Sequence, residues 1–181
     1  MSHPTRWVAL AVLGATVGLA IVFAVQFDNE PGLESGKLLG EPAPAFAGVD
    51  LVGAAVDSTE LAGKAVLVNF WNEWCLPCQE ETAALVAFYG AHGDDADFEM
   101  VGIVRDMRSE RALRDYVLDQ GIGWTVMFDP QATAAVDYST TGQPESFMIA
   151  ADGTVVGFQA GALDVGDLEL MLAAARGEVA S

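Results

Sequence analysis

The sequence predicts an α/β domain, built as a three-layer α/β/α sandwich with an N-terminal hairpin extension and preceded by one transmembrane helix. Strand-like and helix-like segments alternate along most of the chain, which then ends in a hairpin and a helix, as expected for helices packed on a sheet. Residues 65–71 are almost continuously apolar, which is typical of a strand buried on both faces. Residues 7–25 carry no charge.

Composition excludes several classes of protein. The chain has 181 residues, 8 Lys and Arg against 26 Asp and Glu, a net charge of −18, and two cysteines. Two cysteines are too few for a disulfide scaffold or a four-thiolate metal site. A chain this acidic does not neutralise a phosphate backbone, so we expect no nucleic-acid partner.

The uncharged N-terminal segment predicts a membrane anchor. Its nineteen residues are about as long as a helix that crosses the roughly 30 Å hydrocarbon core of a bilayer. Arg6 precedes the segment and acidic residues follow it, which predicts an N-terminus inside the cell. A cleaved signal peptide is the alternative, although its apolar region is usually about 7–15 residues long.

These features predict four segments: a cytoplasmic N-terminus at 1–6, a single-pass signal-anchor in the cytoplasmic membrane at 7–27, a linker at 28–41, and a folded domain at 42–181. Residues 28–181 hold 7 basic and 26 acidic side chains, a net charge of −19. The domain is expected on the periplasmic or extracytoplasmic side. Two cysteines in such an oxidising compartment tend to form a disulfide.

Within the domain, turn and cap residues set the element boundaries. A hairpin-like segment is expected at 46–56, then a short turn capped by Ser58 and closed by Gly63. The apolar strand at 65–71 leads into a helix from about 75 to 89. A strand follows at 98–104, and Ser109 and Gly121 predict the two ends of the next helix. The remaining elements are a strand at 124–128, a short helix at 129–138, a hairpin of 147–150 and 154–159 through an Asp-Gly turn, and an amphipathic helix at 165–175.

The sequence Trp-Cys-Leu-Pro-Cys at 74–78 carries the chemistry. Two cysteines three residues apart at the start of a helix can close a small disulfide ring. The helix N-terminus favours thiolate at the first cysteine, so Cys75 is expected to attack and Cys78 to resolve the mixed disulfide. Pro77 is compatible with the first helical turn because no N–H is needed there.

Three other interpretations of the cysteine pair are weaker. A zinc site needs further ligands, and the histidines are His3, before the apolar segment, and His92. Covalent haem attachment needs a His after Cys78, where the chain has Gln79. A structural disulfide that closes so small a loop contributes little stability. We therefore expect neither a metal nor a cofactor.

The cysteine segment VNFWNEWCLPCQEE at 68–81 resembles the active site of membrane-anchored thioredoxin-like thiol:disulfide oxidoreductases, the DsbE/CcmG, ResA and TlpA group. GEPAPAF at 40–46 resembles that group's G-x-x-A-P-x-F start, and LAGK at 61–64 its L-x-G-K. GQPESF at 142–147 resembles its G-x-P-E-T-F segment. The resemblance covers residues 39–175 and implies a thioredoxin-like fold.

The resemblance also implies roles for the residues around the cysteines. It implies a cis Gln143–Pro144 bond against the Cys75–Cys78 pair, where a bare backbone edge binds an extended substrate. The alternative from the residues alone is an ordinary trans turn. Trp74 is the aromatic side chain expected to touch substrate.

A proton acceptor for Cys78 is expected at Glu81. Cytosolic thioredoxins carry a buried Asp where this chain has Asn69, which does not titrate. Glu81 matches an active-site Glu of the ResA branch and lies one helical turn from Cys78. The alternative is a solvated Glu that complements the helix dipole.

Charged residues near the site suggest further roles. Carboxylates at 73, 80 and 81 disfavour a thiolate at Cys75, so a reductant is expected rather than a strong oxidant. Arginines recur every third residue at 105, 108, 111 and 114. They are interpreted as a solvated helix face paired with nearby acids, with a partner-docking stripe as the alternative.

Together these features predict a membrane-tethered disulfide reductase acting through Cys75 and Cys78. By resemblance its substrate is the oxidised CxxCH of apocytochrome c, and its electrons come from a membrane thiol donor of the DsbD/CcdA kind. A general thiol reductase with other clients is the first alternative. A thiol peroxidase usually has Thr three residues before its Cys, where this chain has Asn72. A non-enzymatic binding module with a structural disulfide is the remaining alternative.

Overall fold

A computed structural model of the protein describes residues 36–178. Its strands form one seven-stranded sheet in the order β2-β1-β5-β4-β3-β6-β7. β3, β4 and β5 run parallel, and the other neighbours pair antiparallel. The strands are β1 (Ala47–Asp50), β2 (Ala55–Asp57), β3 (Ala65–Phe70), β4 (Phe98–Val104), β5 (Thr125–Phe128), β6 (Glu145–Ile149) and β7 (Val155–Ala160). The α-helices are α1 (Leu76–His92), α2 (Glu110–Gln120), α3 (Thr133–Asp137) and α4 (Val165–Ala175).

The core lies on both faces of this sheet. Every residue of β3 is buried, as its continuous apolar sequence predicts. One face packs against α1, α2 and α4, through Phe88, Leu113 and Leu168. The other face packs against the shorter α3, through residues such as Tyr138. Helices therefore cover both sides of the sheet, which confirms the predicted three-layer architecture.

Several boundaries follow the cap residues. The Ser109 side chain accepts a hydrogen bond from the N–H of Ala112 at the start of α2, and Gly121 ends that helix in the left-handed conformation, with φ 69°. α1 continues past the predicted end at 89, because Gly90 lies inside the helix rather than ending it. α3 starts later than predicted, since the Asp129 carboxylate accepts from the N–H groups of the helix's first turn.

The expectation that Ser58 caps a short turn is wrong. Residues Ser58–Leu61 form a 3₁₀ helix whose cap is Asp57, which accepts from the N–H of Thr59 at 2.8 Å. The Ser58 hydroxyl instead accepts from the N–H of Phe46 at 2.9 Å. Ser58 therefore ties this turn to the segment that enters β1.

The predicted anchor at 7–27 lies outside the described residues. Among residues 36–178, none of the helices combines the length and the apolar composition that a membrane span requires. Residues 36–41, placed in the linker by the sequence, contact the domain. The backbone oxygen of Glu41 accepts from the N–H of Val155 at 3.0 Å, and the N–H of Gly40 donates to the backbone oxygen of Val155 at 2.8 Å.

Candidate active site

The cysteine pair lies where β3 turns into α1. β3 ends at Phe70, and Cys75 is the N-cap of α1, so its sulfur accepts from the N–H of Cys78 at 3.3 Å. Cys75 and Cys78 are joined by a disulfide, with Cα atoms 5.2 Å apart. Pro77 occupies the first turn. The predicted strand–cysteine–helix arrangement and the disulfide are therefore present.

Both cysteines are buried, but to different degrees. Cys75 is 6% exposed and Cys78 is 1% exposed, beneath the first turn of α1. The Cys75 sulfur lies 3.7 Å from the backbone oxygen of Gln143. The Gln143–Pro144 bond is cis, as the family resemblance implied. The structure therefore brings Gln143, Pro144 and the cysteine pair together.

Two buried polar side chains that the sequence analysis did not assign to the site hold the loop before β6. The Glu145 carboxylate accepts from the N–H groups of Thr141 at 3.0 Å and Gly142 at 2.8 Å. Asn72 donates to the side-chain oxygen of Gln143 at 2.8 Å. Glu145 stands in the quoted GQPESF segment, and Asn72 is a polar residue just after the apolar β3. The sequence therefore marks both positions as polar residues near the site, but their role in holding the loop is evident only from the tertiary contacts.

Glu81 is buried in the first turns of α1, with 1% of its surface exposed. One carboxylate oxygen accepts from the Asn69 amide at 2.9 Å, and the other accepts from the N–H of Leu163 at 3.2 Å. Burial raises the pKa of Glu81 to about 7, against the opposing effect of these two hydrogen bonds. The solvated alternative for Glu81 is inconsistent with this burial.

The other two carboxylates near the cysteines face different surroundings. Glu73 is 6% exposed, and its carboxylate accepts from the N–H of Arg108 at 2.9 Å. Glu80 is exposed to solvent. Of the three carboxylates predicted to disfavour a thiolate at Cys75, two are therefore buried, Glu73 and Glu81, and one, Glu80, is solvated.

An open groove of about 390 Å³ runs past the outer cysteine. Trp74 forms part of its wall, is 37% exposed, and donates its indole N–H to the backbone oxygen of Asp106 at 3.0 Å. The groove is open at the surface beside Cys75, a setting in which an extended peptide segment can bind. Its other lining residues are Cys75, Leu76, Pro77, Arg105, Asp106, Gly142 and Gln143.

The arginine series does not form one face of a helix. Arg111 and Arg114 lie on α2, where they pair with Asp115 at 3.6 Å and with Glu110 at 2.6 Å. Arg105 and Arg108 precede α2, in the loop after β4. The solvated-face interpretation therefore holds for half of the series.

Within the described part of the chain, no cluster of three or more His, Cys, Asp or Glu side chains is arranged to hold a metal ion.

The profile of the AhpC/TSA family matches residues 39–158, a segment that contains both cysteines and Pro144. The chain belongs to the AhpC/TSA family.

Proteins related to this AhpC/TSA chain are named for disulfide chemistry. It is 31% identical over 162 residues to the thiol:disulfide interchange protein DsbE of Allochromatium vinosum, a match that covers 86% of this chain and 85% of DsbE. It is 28% identical over 151 residues to the thiol-disulfide oxidoreductase ResA of Bacillus thuringiensis, with 83% of each chain covered. This AhpC/TSA protein is a thiol-disulfide oxidoreductase of the ResA and DsbE type.

A solved structure supports the same assignment. The crystal structure of a thioredoxin-family thiol:disulfide interchange protein from Chlorobium tepidum is 34% identical. The match has a TM-score of 0.65 and covers 74% of this chain and 95% of that one. The thioredoxin-like fold predicted for this AhpC/TSA protein is therefore confirmed.

Proposed function

We propose that the protein is a membrane-tethered extracytoplasmic reductase of protein disulfides, acting through Cys75 and Cys78. The observation that carries the proposal is that Cys75 lines the groove at a helix N-terminus, whereas Cys78 lies buried one turn further along the helix. The helix N-terminus stabilises a thiolate at Cys75, the sulfur that faces the groove. The buried Cys78 is positioned to attack Cys75, not a bulky substrate.

The reduction takes place in two exchange steps. The Cys75 thiolate attacks one sulfur of the substrate disulfide, that disulfide breaks, and the displaced sulfur leaves as a thiolate. The Cys78 thiolate then attacks Cys75, which releases the second substrate sulfur and forms the Cys75–Cys78 disulfide. Two electrons pass from the protein dithiol to the substrate, which gains two protons. A dithiol donor must then reduce the protein before the next cycle.

Glu81 is proposed to take the proton of Cys78 before the second step. It lies one helical turn from Cys78 on α1, inside the core. A carboxyl whose pKa is about 7 accepts and returns a proton with little cost near neutral pH. Asn69 and Leu163 orient the carboxylate through both of its oxygens.

The Glu81 proposal is tested by the pH dependence of resolution. With a mixed disulfide preformed on Cys75, Glu81→Gln is expected to slow release on the order of 100-fold near pH 8 and to remove a rate transition near pH 7. Rapid mixing with mass spectrometry measures the release. Glu80→Gln, which removes an exposed carboxylate on the same helix, is the matched control. An unchanged pH profile in Glu81→Gln would rule out the role.

Substrate binding is proposed at the groove beside Cys75, through Trp74, Gln143 and Pro144. The backbone at Gln143 lies against the Cys75 sulfur, so an extended substrate segment hydrogen-bonds to main chain there. This mode gives affinity without strong sequence selectivity. Trp74 offers an aromatic surface in the wall of the groove, in an orientation fixed by Asp106.

The substrate is proposed to be the oxidised CxxCH of apocytochrome c, and the electron source a membrane thiol donor of the DsbD/CcdA type. The resemblance of residues 68–81 to the DsbE/CcmG, ResA and TlpA group, and of residues 142–147 to the DsbE/CcmG branch within it, supports this assignment. The uncharged segment before residue 28 supports a tether that holds the domain outside the cytoplasmic membrane.

Trapping tests the client. In Cys78→Ser, the mixed disulfide on Cys75 is not resolved, so captured proteins remain attached and mass spectrometry identifies them. Recovery of apocytochromes c is the expected result. Recovery of unrelated exported proteins would contradict apocytochrome c as the client and favour a general thiol reductase. Failure of the wild-type protein to reduce insulin would contradict the reductase function and favour a binding module.

A further inference from the structure

The loop after β4 forms one wall of the groove beside Cys75. β3 and β4 are parallel neighbours, so their carboxyl ends lie at the same edge of the sheet. Cys75 follows β3, and Arg105 is the first residue after β4. Both line the groove, together with Asp106. The topology of the sheet therefore places Arg105 in the same groove as Cys75.

Two hydrogen bonds fix this loop to the cysteine segment. The Trp74 indole donates to the backbone oxygen of Asp106 at 3.0 Å. The N–H of Arg108 donates to the buried carboxylate of Glu73 at 2.9 Å. The backbone that carries Arg105 is thus held at two points, so its side chain starts from a preorganised position.

The charge of Arg105 is not neutralised inside the protein. Arg105 is exposed, and the ion pairs of residues 36–178 include neither Arg105 nor Asp106. By contrast, the helix and C-terminal arginines at 111, 114 and 176 each pair with a carboxylate. Among the residues that line the groove, Arg105 is the one with a positively charged side chain. In a chain with a net charge of −18, a guanidinium without an ion pair in the groove that contains Cys75 points to an anionic group on the substrate.

We propose that Arg105 is a specificity-determining residue whose guanidinium binds a carboxylate side chain of the substrate segment beside the attacked disulfide. A planar guanidinium matches a carboxylate with two parallel hydrogen bonds. The inference rests on the proposed reductase function and adds the class of side chain that it selects.

Synthetic disulfide peptides test the inference on the reduced full-length protein. Three peptides with one internal disulfide differ only at the two positions that flank the first cysteine, which carry Glu, Gln or Lys. Quenched-flow mass spectrometry gives the second-order rate constant for each, in the wild type, Arg105→Gln and Arg108→Gln. Both variants change the net charge by the same amount, and Arg108 is an exposed side chain that does not line the groove.

The readout is the rate constant for the Glu peptide divided by that for the Gln peptide, measured with the same variant. A general change in the reactivity of a variant therefore cancels in the ratio. Arg105→Gln is expected to lower this ratio roughly threefold to fivefold, the effect of one exposed ion pair. Arg108→Gln is expected to keep it, and about 1 M salt to abolish the difference. An unchanged ratio in Arg105→Gln, or an equal loss in both variants, would overturn the inference. No exchange with any peptide would overturn the proposed function as well, whereas exchange at equal rates for all three would overturn the inference alone.

Discussion

Replacing Glu81 by Gln is expected to change how the protein's stability depends on pH. The carboxyl is 1% exposed, and burial raises its pKa from 4.5 in the unfolded chain to about 7. A shift of that size corresponds to about 3 kcal/mol between the protonation states, at 1.36 kcal/mol for each pKa unit. The amide in the Glu81→Gln variant has no proton to lose, so this pH-dependent contribution disappears.

The sign follows from which state releases its proton first. Below pH 4.5 the carboxyl is neutral in both states, and the wild type has no penalty. As the pH rises towards 7 the unfolded chain ionises and the folded protein does not, so the free energy of unfolding falls. Above about pH 7 the full loss of about 3 kcal/mol is present. The wild type is therefore expected to lose more stability than Glu81→Gln between pH 4.5 and pH 8.

Urea unfolding of the oxidised protein, followed by tryptophan fluorescence, measures this difference at a series of pH values. The difference between the two proteins cancels the titration of all other groups. Glu80→Gln is the control, because the Glu80 carboxylate is already in water in the folded protein. If the free energy of unfolding changed with pH in the same way for the wild type and Glu81→Gln across this range, the raised pKa of the Glu81 carboxyl would be refuted.

Three further substitutions test the packing and the site. Gly102→Ala is expected to cost about 1–3 kcal/mol in urea unfolding, because a Cβ there would lie 2.5 and 3.0 Å from two tryptophan indole nitrogens. Leu168→Ala is expected to cost about 2–5 kcal/mol, since the Leu168 side chain is fully buried. Leu170 is exposed on the same helix, so Leu170→Ala is expected to change stability by less than about 0.5 kcal/mol. Equal costs would contradict the orientation of α4. Asn72→Ala removes the 2.8 Å bond to Gln143 and is expected to lower kcat/KM for peptide disulfides about fivefold to tenfold; an unchanged kcat/KM would count against a positioning role.

Local sequence signals predicted most elements of the fold, because caps and turns act over a few residues. β4 and α4 lie at the predicted residues, and α2 begins after the predicted Ser109 cap and ends before Gly121. The active-site helix is longer than predicted because packing of α1 on the sheet outweighs the helix-weakening effect of one glycine. The cap of the 3₁₀ helix was misplaced by one residue since two adjacent side chains, Asp57 and Ser58, both accept hydrogen bonds there.

In the candidate site, the sequence likewise predicts the residues that short motifs mark but not their distant hydrogen-bond partners. The cysteine pair is predicted by a short motif, and the cis Gln143–Pro144 bond and the site position of Glu81 are implied by the family resemblance. The partners that set their geometry are not predicted, because they come from distant parts of the chain. Leu163 reaches Glu81 across 82 residues, and the β4 loop reaches Trp74 across 32 residues. These pairings depend on strand order, which no short segment encodes.

The division of labour between Cys75 and Cys78 is the central claim, and mixed-disulfide formation tests it most directly. Reduced Cys78→Ser and Cys75→Ser proteins are each mixed with an oxidised disulfide peptide, and intact-mass spectrometry follows the covalent adduct. The account predicts a stoichiometric adduct on Cys75 in Cys78→Ser and almost none in Cys75→Ser, because the remaining cysteine, Cys78, is 1% exposed and does not line the groove. Equally fast adduct formation by both variants would contradict it.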